Sequence, residues 1–301
     1  MNPREAGFLL LTSFLGNPQR KPLTVAQFRN LAKRMAVSAA PENGQREVEV
    51  DDFLALGYNR MEAQRIVALL SETELLQYYL FRGAQNGCDP ITRVSYDYPL
   101  SVRQALGLDA PASLWAMGDR NLLQGKKIAL VGSRTLKESN RNFAYEAGKQ
   151  AALQGYTLVS GNASGADTIA QDACLEHGGR VISVVADELE KCSLRPNVLY
   201  LSEDGFDLPF SPGRAHSRNR VIHSLSPVVL VVQSSLQKGG TWSGVTKNLE
   251  NNWSQVCVFE DGSQAAIQLI QRGAAPITMG SLKDISQLTS MTSQMKMEEL
   301  L

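Results

Sequence analysis

Cysteine is scarce in this chain, and its few cysteines are far apart. Cys88, Cys174, Cys192 and Cys257 form no C-x-x-C pair and have no cluster of histidines nearby. Closely spaced cysteine and histidine are typical of zinc sites, and dense cysteine patterns are typical of disulfide-stabilised secreted domains. The sequence supports neither class, and we expect no bound metal and no cofactor.

The chain also lacks membrane and secretion signals and an excess of charge. No apolar run reaches the roughly 18 residues of a membrane span, and the N-terminus has neither the apolar core nor the cleavage site of a signal peptide. We therefore expect a cytoplasmic protein. The 30 lysines and arginines balance the 30 aspartates and glutamates, so no global basic field attracts nucleic acid. Any nucleic-acid site has to be a local patch.

Residues 1–85 are predicted to form a helical domain. Apolar residues recur there at helical spacing, and Thr24 is suited to cap one of the helices. Leu56-Gly57 with Ala63 and Ile66 faintly resembles a helix-hairpin-helix, or SAM-like, module; a bundle that only packs is the alternative. Residues 86–125, which open with a Gly-, Pro- and Asp-rich stretch at 87–99, are predicted to be a linker and lead-in.

Residues 126–280 are predicted to form an α/β domain. Strand-like apolar runs occur at 128–131, 157–160, 181–186, 198–201, 228–232 and 256–259, with a shorter strand and turn at 114–118. Helical patterns lie between or after them at 138–153, 164–177, 216–224, 241–252 and 263–272. This alternation predicts a doubly wound, mainly parallel, Rossmann-like sheet. Residues 281–301 are left as a C-terminal tail without an assigned structure.

The first core strand is followed at once by Gly132, Ser133 and Arg134. Glycine permits a sharp turn at the carboxyl end of the strand, which is where ligands bind in open α/β sheets. The guanidinium of an arginine at that point suits phosphate. A plain strand-to-helix turn with an exposed arginine is the alternative.

The second core strand runs into Ser160-Gly161-Asn162-Ala163-Ser164-Gly165-Ala166-Asp167. These glycines and serines offer backbone N–H groups at a helix N-terminus, which is what an anion needs. The pattern is neither G-x-x-x-x-G-K-[ST] nor G-x-G-x-x-G, so ATPase and nicotinamide functions lose their main support. Asp167 is either a capping residue in the first helical turn or a ligand for a sugar hydroxyl or an amide.

The sharpest local charge lies at 211–223. This segment has no acidic residue and carries Arg214, His216, Arg218, Arg220 and His223. We predict a phosphate-facing patch, with a solvated basic face as the alternative. In a helix that begins near His216, Arg218 and Arg220 are about 200° apart. One of them should therefore face the ligand, and the other the sheet or a structural carboxylate.

The strand at 228–232 is followed by Lys238-Gly239-Gly240-Thr241. Small residues and a lysine at a helix start again have the composition of a phosphate cradle. Four strand ends thus carry glycine, hydroxyl or basic residues, and the carboxyl ends of parallel strands lie on one edge of a sheet. Their convergence predicts a ligand that bears phosphate.

Over residues 90–276 these motifs together resemble the DNA-processing protein A (DprA/Smf) family. The most specific match is Arg218-Asn219-Arg220-Val221-Ile222 with Leu225-Ser226. Further matches are Tyr98-Pro99, Trp115-Ala116-Met117-Gly118, Leu122-Leu123, Val131-Gly132-Ser133-Arg134, Ser160-Gly161 with Ala163, Gly165, Asp167, Ala173, Leu175 and Gly178-Gly179, and Leu269-Ile270 with Gly273-Ala274. The chain departs from the family pattern at Gln171, Ala186-Asp187-Glu188, Ala215-His216 and Gly244-Val245, and we expect no winged-helix domain after the core.

The resemblance implies a non-enzymatic protein that binds and protects single-stranded DNA. In the family, such a protein loads a RecA-type recombinase during recombination or during DNA uptake in natural transformation. A basic groove that follows the backbone is typical of single-strand binders. The assembly state stays open, with a homodimer as one option. The expected DNA- or phosphate-binding residues are Gly132, Ser133, Arg134, Ser160, Gly161, Ser164, Gly165, Asp167, Arg214, Arg218, Asn219, Lys238, Gly239, Gly240 and Thr241, with Arg220 as a structural residue.

Two other functions remain open at this point. Nucleoside-monophosphate phosphoribohydrolases of related Rossmann-like proteins carry Gly-Gly-x-Gly-Thr and a downstream glutamate. Here Gly239-Gly240-Thr241 is an incomplete version, and Glu250 is the only candidate acid. A nucleotide-binding sensor that serves a partner is the third hypothesis, and the sequence does not separate it from a DNA binder.

Overall fold

The N-terminal part of the chain is helical. The computed structural model describes residues 1–37 and 48–288, and the helices here are α1 (Pro3–Thr12), α2 (Val25–Val37), α3 (Val50–Ala55), α4 (Arg60–Ser71) and α5 (Thr73–Gln85). At the start of α1, Asn2 Oδ1 accepts the Glu5 backbone N–H at 3.0 Å, and Glu5 Oε2 accepts the Asn2 backbone N–H at 2.8 Å. Such reciprocal caps satisfy donors that a helix start leaves unpaired. The Thr24 hydroxyl accepts the Gln27 N–H at 3.3 Å at the start of α2, where the sequence predicts a cap.

The remaining described chain forms a single sheet with helices on both faces. The strands are β1 (Cys88–Thr92), β2 (Ser113–Met117), β3 (Lys127–Val131), β4 (Thr157–Ser160), β5 (Arg180–Val185), β6 (Val198–Glu203), β7 (Val228–Val231), β8 (Gln255–Phe259) and β9 (Ala275–Ile277). The helices are α6 (Leu100–Leu106), α7 (Glu138–Leu153), α8 (Ala166–Glu176), α9 (Pro212–Leu225), α10 (Gly239–Asn251) and α11 (Gln264–Gln271). None of the helices within the described residues is long and apolar enough to cross a membrane.

The strand order is β1-β2-β6-β5-β4-β3-β7-β8-β9. Every pair from β6 to β9 is parallel, whereas β1 with β2 and β2 with β6 are antiparallel. Strands β4 and β7 are buried along their whole length, because helices cover both faces of the sheet. The predicted doubly wound, mainly parallel sheet is confirmed.

The two faces of the sheet have separate apolar clusters. On one face Phe143 of α7 and Ala170 of α8 pack in a cluster with Leu158. On the other, Val221 of α9 and Val245 of α10 pack with Val159. Neighbouring residues of β4 therefore serve opposite faces, as the two-residue period of a strand requires. Both clusters contain residues of the central strands. Packing on both faces fixes these strands and so positions the turns at their ends.

The segment predicted as a linker is in fact part of the sheet. Strand β1 forms the edge of the sheet beside β2, and α6 lies between them in the chain. Cys88 and Ile91 of β1 are fully buried, in the apolar clusters on opposite faces of the sheet. Pro90 is compatible with strand structure because edge strands tolerate a missing N–H. The short strand β9 at the other edge is likewise absent from the predicted pattern, and the described part of the tail adds a 3₁₀ turn at Met279–Lys283.

Helices α1 and α5 pack against the sheet instead of forming a separate body. The rings of Tyr79 on α5, Trp115 on β2 and Phe206 lie with centroids 4.7–5.1 Å apart. Leu9 and Leu10 of α1 belong to the same apolar cluster. The helices also share a cluster of their own around Phe28, Phe53 and Ile66. The expectation that residues 1–85 pack apart is therefore corrected, because the antiparallel edge of the sheet needs apolar cover that α1 and α5 supply. Helix α9 begins earlier than predicted, at Pro212, since the Ser211 hydroxyl accepts the Arg214 N–H at 3.1 Å.

Candidate functional site

The carboxyl ends of β3 and β7 meet where the winding of the sheet reverses. From β3 the chain continues to β4 on one side, and from β7 it continues to β8 on the other. In open α/β sheets a crevice forms at such a point, outside the carboxyl ends of the strands. The turns after β3, β4 and β7, at 132–134, 160–167 and 233–241, border it. We call this region the strand-end crevice.

The turn after β3 is hydrogen-bonded to the residues that follow β7. A Cβ at Gly132 would lie 2.5 Å from the Cβ of Ala166 and 3.1 Å from that of Val232, so only glycine fits there. The Ser133 backbone N–H donates to the Gln233 carbonyl at 2.9 Å, and its hydroxyl lies 3.1 Å from the same oxygen. The two central strand ends therefore form one rigid border of the crevice.

Gln233 joins the same border through its side chain, a role that the sequence analysis missed. Its amide oxygen accepts the Lys137 backbone N–H at 3.0 Å, and its amide nitrogen donates to the Thr135 carbonyl at 3.2 Å. From the far side, the Thr241 hydroxyl donates to the Gly132 carbonyl at 3.0 Å. The available signal is a glutamine directly after a buried apolar strand, but its partners depend on β3 and β7 being neighbours.

The turn after β4 is shaped by close approach of buried charged side chains. A Cβ at Gly161 would overlap Nη1 of Arg218 and lie 2.5 Å from Oδ2 of Asp167. Gly165 has a φ of +92°, and a Cβ there would overlap the Arg134 carbonyl. Glycine is needed at both positions for steric reasons.

Asp167 and Arg218 lie beneath this turn and are directed inward. The Asp167 carboxylate accepts the Ala163 backbone N–H at 3.3 Å, and Arg218 Nη1 donates to the Val184 carbonyl at 2.7 Å. Burial raises the pKa of Asp167 to about 6, although the charge of Arg218 acts in the opposite direction. Burial also lowers the pKa of Arg218. For both groups desolvation outweighs their mutual attraction.

The other two arginines of α9 also have internal partners. Arg214 donates to Ser202 Oγ at 2.7 Å, to the Glu203 carbonyl at 3.3 Å and to the Leu208 carbonyl. Arg220 Nη2 donates to Glu203 Oε2 at 2.9 Å. Glu203 was not singled out from the sequence, where the signal is an acid that ends an otherwise apolar strand. Phosphate contacts by Arg214 and Arg218 stay a prediction, since all three guanidinium groups of α9 are already engaged.

Two cations at the strand-end crevice are free. The side chains of Arg134 and Lys238 are exposed, and within the described residues neither has a hydrogen bond or an ion pair. Lys238 occupies the cap position of α10, whose first turn receives no side-chain cap. On the far side of that turn Asn219 Nδ2 donates to the Gly240 carbonyl at 3.2 Å. The crevice thus combines two unpaired cations with the open N-terminus of a helix, an arrangement suited to an anion.

The remaining predicted residues lie at the crevice or away from it as follows. Ser160 Oγ accepts from Gln171 Nε2 at 2.7 Å and is fully buried, whereas Ser164 is exposed at the turn. Glu250 is exposed near the end of α10, nine residues past Thr241 and so about 14 Å farther along the helix axis. No cluster of His, Cys, Asp or Glu suited to a metal ion occurs in the chain at 1–37 and 48–288.

Residues 89–290 match the sequence model of a family described as DNA recombination-mediator protein A. The chain belongs to this family. The match covers the sheet except the first residue of β1, and every turn of the strand-end crevice, and it confirms the DprA/Smf resemblance that the motifs indicate.

Curated relatives bear the same family names. The chain is 30% identical to DNA processing protein DprA of Bacillus subtilis over 234 residues, which cover 71% of this chain and 78% of that protein. It is 30% identical to Protein Smf of Escherichia coli over 142 residues, which cover 44% of this chain but only 38% of that protein. The Escherichia coli relative therefore extends well beyond the matched part.

Solved structures of DprA proteins share the fold. The X-ray structure of DprA from Streptococcus pneumoniae aligns with a TM-score of 0.69 at 24% identity, over 94% of this chain and 96% of that one. DprA from Helicobacter pylori, whose structure was described for its single-stranded DNA binding mode, aligns with a TM-score of 0.54 at 22% identity, over 69% of this chain and 96% of that one. At these identities the likeness concerns the fold.

Proposed function

We propose that this DprA/Smf family member binds single-stranded DNA along the strand-end crevice. The observation that carries the proposal is the pair of exposed, unpaired cations, Arg134 and Lys238, on either side of the β3–β7 junction. Phosphate is the anion that such a pair and a helix N-terminus accommodate. The single-stranded DNA named for the Helicobacter pylori relative supports the same ligand.

Backbone phosphates, rather than bases, are the groups that this crevice would contact. Its border consists of glycine turns and backbone N–H groups with few aromatic side chains. A flexible strand can place successive phosphates against fixed positive points in a way that a stiff duplex cannot, and binding to the backbone tolerates any sequence. We therefore infer a preference for single strands with little sequence discrimination.

The proposed activity is binding and delivery without catalysis. The bound strand would be protected and passed to a RecA-type recombinase in the cytoplasm during recombination or DNA uptake, and a homodimer is the assembly we would test first. We assign DNA binding to the domain at 126–280 and retain 1–85 as the helical domain and 86–125 as the lead-in. The helical domain shares apolar contacts with the sheet edge, so it is suited to hold that edge rather than to move freely.

A direct test is fluorescence anisotropy with labelled oligonucleotides of equal length and sequence, one single-stranded and one duplex. We expect the single strand to bind more tightly and its affinity to fall with salt. Equal affinity for both forms, or an affinity independent of salt, would reject the proposal.

A further inference from the structure

A second cavity lies on the same edge of the sheet, away from the strand-end crevice. It has a volume of about 700 Å³, which is within the usual range for small-molecule pockets. Its walls come from the α1–α2 loop, the segment before β2, and the residues after β1 and β6. Strand β6 is three strands from β3, or about 14 Å at the usual strand spacing. The cavity is therefore distinct from the crevice.

The wall formed by the α1–α2 loop is held in place from inside. The buried guanidinium of Arg20 donates to the carbonyls of Leu10 and Ser13 and, at 2.5 Å, to the Glu72 carboxylate. The Ser13 hydroxyl in turn lies 3.3 Å from the Asp204 carbonyl and joins the loop to the end of β6. The cavity is thus formed before any ligand arrives, which lowers the entropic cost of binding.

A carboxylate without a partner faces this cavity. Asp204 lines it, and within the described residues its side chain has no hydrogen bond or ion pair. The residue adopts a φ of +68°, a left-handed conformation that is uncommon outside glycine and asparagine. The Asp204 side chain is exposed, so the carboxylate is open both to solvent and to a ligand in the cavity. Its two oxygens are therefore available to the donors that a ligand brings.

The cations that line the cavity are not matched by its acids. Lys21 is exposed, and within the described residues its side chain has no partner. In the same part of the chain Arg93 Nη1 donates to the carbonyls of Leu108 and Ala110, at 3.0 and 3.3 Å, and its guanidinium lies over the rings of Phe8 and Phe28 without a carboxylate partner. Asp109, the other acid in the lining, is already paired with Arg29 outside it. A ligand that complements this lining has an anionic group for Lys21 and Arg93.

The body of the cavity is apolar. Phe14, which is 40% exposed, and the half-exposed Leu108 contribute most of this surface, and the largely buried Phe28 adds a small part of it. An aromatic ring and aliphatic carbons suit a planar ring system, which stacks on them with little loss of conformational freedom. The ligand that fits all three parts has a planar apolar body, neutral N–H donors for Asp204 and a negative group for Lys21 and Arg93.

We propose that this cavity binds a guanine nucleotide, with the base between the apolar walls and the phosphate at Lys21 and Arg93. Guanine presents two adjacent donors, N1–H and the 2-amino group, to the two oxygens of Asp204, because a carboxylate only accepts. Adenine presents an acceptor at N1 and would repel the same carboxylate. A cationic ligand is disfavoured because the positive charges of Arg220 and Arg214 already act on Asp204. The proposal does not depend on DNA binding at the strand-end crevice.

Isothermal titration calorimetry of the full chain with GMP, IMP and AMP tests the base. IMP differs from GMP only by the 2-amino group, so we expect GMP to bind about tenfold more tightly than IMP, the loss expected for half of a bidentate contact, and AMP more weakly still. Asp204→Asn should weaken GMP binding by about ten- to hundredfold and abolish the preference over IMP. Asp89→Asn, which removes an exposed carboxylate from the opposite end of β1, is the matched control and should leave GMP binding unchanged.

The phosphate and the source of the nucleotide are tested separately. Lys21→Ala should weaken GMP but not guanosine. Competition between GMP and an oligonucleotide that contains guanine shows whether the cavity takes a free nucleotide or a base of a strand, and a thymine-only oligonucleotide should not compete at this site. No saturable GMP binding up to about 1 mM, equal affinity for GMP and AMP, or full GMP affinity in Asp204→Asn would overturn the proposal. Loss of oligonucleotide binding alone would leave it standing and would count only against the proposed DNA site.

Discussion

The guanidinium of Arg218 occupies the space that a side chain at Gly161 would need. A Cβ at position 161 would overlap Nη1 of Arg218 and crowd the Asp167 carboxylate. Gly161→Ala should therefore expel the guanidinium, break its bond to the Val184 carbonyl and lower the free energy of unfolding by about 1–3 kcal/mol. Chemical denaturation monitored by tryptophan fluorescence measures the change.

The double variant identifies the cause. Once Arg218→Ala has removed the side chain, adding Gly161→Ala should cost clearly less than it does in the native chain, because the overlapping group is gone. Gly7→Ala is the control, since a Cβ at Gly7 meets no atom within 4 Å, and it should be neutral or slightly stabilising. Additive costs for Gly161→Ala and Arg218→Ala would contradict the proposed overlap.

The two free cations of the strand-end crevice should carry the salt dependence of DNA binding. Arg134→Ala and Lys238→Ala should each weaken binding to single strands and reduce the slope of log affinity against log salt by roughly 0.7 for each lost phosphate contact. Because neither side chain has a partner within the described residues, unfolding free energies should stay the same. The control variant is Lys283→Ala, which removes an exposed lysine far from the crevice. Equal salt slopes for all three variants would argue against the crevice as the DNA-binding site.

Arg220 should affect stability more than DNA affinity. Its partner Glu203 has a side chain only 6% exposed, whereas that of Arg220 is 26% exposed. Arg220→Ala would leave a buried carboxylate without its counter-ion, and we expect a loss of about 1–3 kcal/mol in unfolding free energy, reduced from the full value of a buried pair by the partial exposure. Adding Glu203→Gln to that variant should recover part of the loss. An affinity loss as large as that of Lys238→Ala, with stability intact, would instead place Arg220 at the DNA.

His223 should make the protein sensitive to acid. It is buried on α9, where Asn248 Nδ2 lies 2.9 Å from its Nδ1, and because an amide nitrogen only donates, that ring nitrogen has to accept in a neutral imidazole. Burial lowers the pKa of His223 from 6.5 to about 4. Between pH 6.5 and pH 4 the unfolded chain binds more protons at His223 than the folded chain does. The stability that the neutral, buried His223 contributes is therefore fully present above pH 6.5 and is lost as the pH falls towards 4.

We expect the free energy of unfolding to fall by on the order of 3 kcal/mol between pH 6.5 and pH 4 because of His223. The measurement is urea denaturation at pH 7 and at pH 4.5 for the native chain and for His223→Gln, which should show a smaller difference between the two pH values. His216→Gln, at an exposed histidine of the same helix, should leave the difference as it is. If His223→Gln retains the full acid sensitivity, other groups are responsible.

The central sheet could be predicted because its strands carry their own signal. Runs such as 128–131 are apolar on both faces and end in glycine, and the predicted helix at 138–153 coincides with α7. Strand β1 escaped prediction because Pro90 and its polar neighbours have the composition of a loop, and only its pairing with β2 makes it a strand. Local composition cannot show that a distant segment offers an unpaired edge.

The candidate site was predictable in its residue types but not in its contacts. The segment at 211–223 is visibly basic in the sequence, and its contact with phosphate stays a prediction. Nothing local shows that Arg214 donates to Ser202 or that Arg218 donates to the Val184 carbonyl. Those partners lie on β6 and β5, and their proximity to α9 follows from the strand order. Gln233 and Glu203 were missed for the same reason, since their roles exist only once the strands are adjacent.

The side-chain amide of Gln233 bears on how fast a DNA strand can associate with the strand-end crevice. By joining the end of β7 to the backbone of the β3–α7 connection, it holds both borders in place, so a strand can dock without a prior opening step. Association should then be set by diffusion and electrostatic steering, with on-rates that fall as ionic strength rises. Differences in affinity between variants at Arg134 or Lys238 would be shared between slower capture and faster release, whereas loosening Gln233 would add a slow rearrangement before capture.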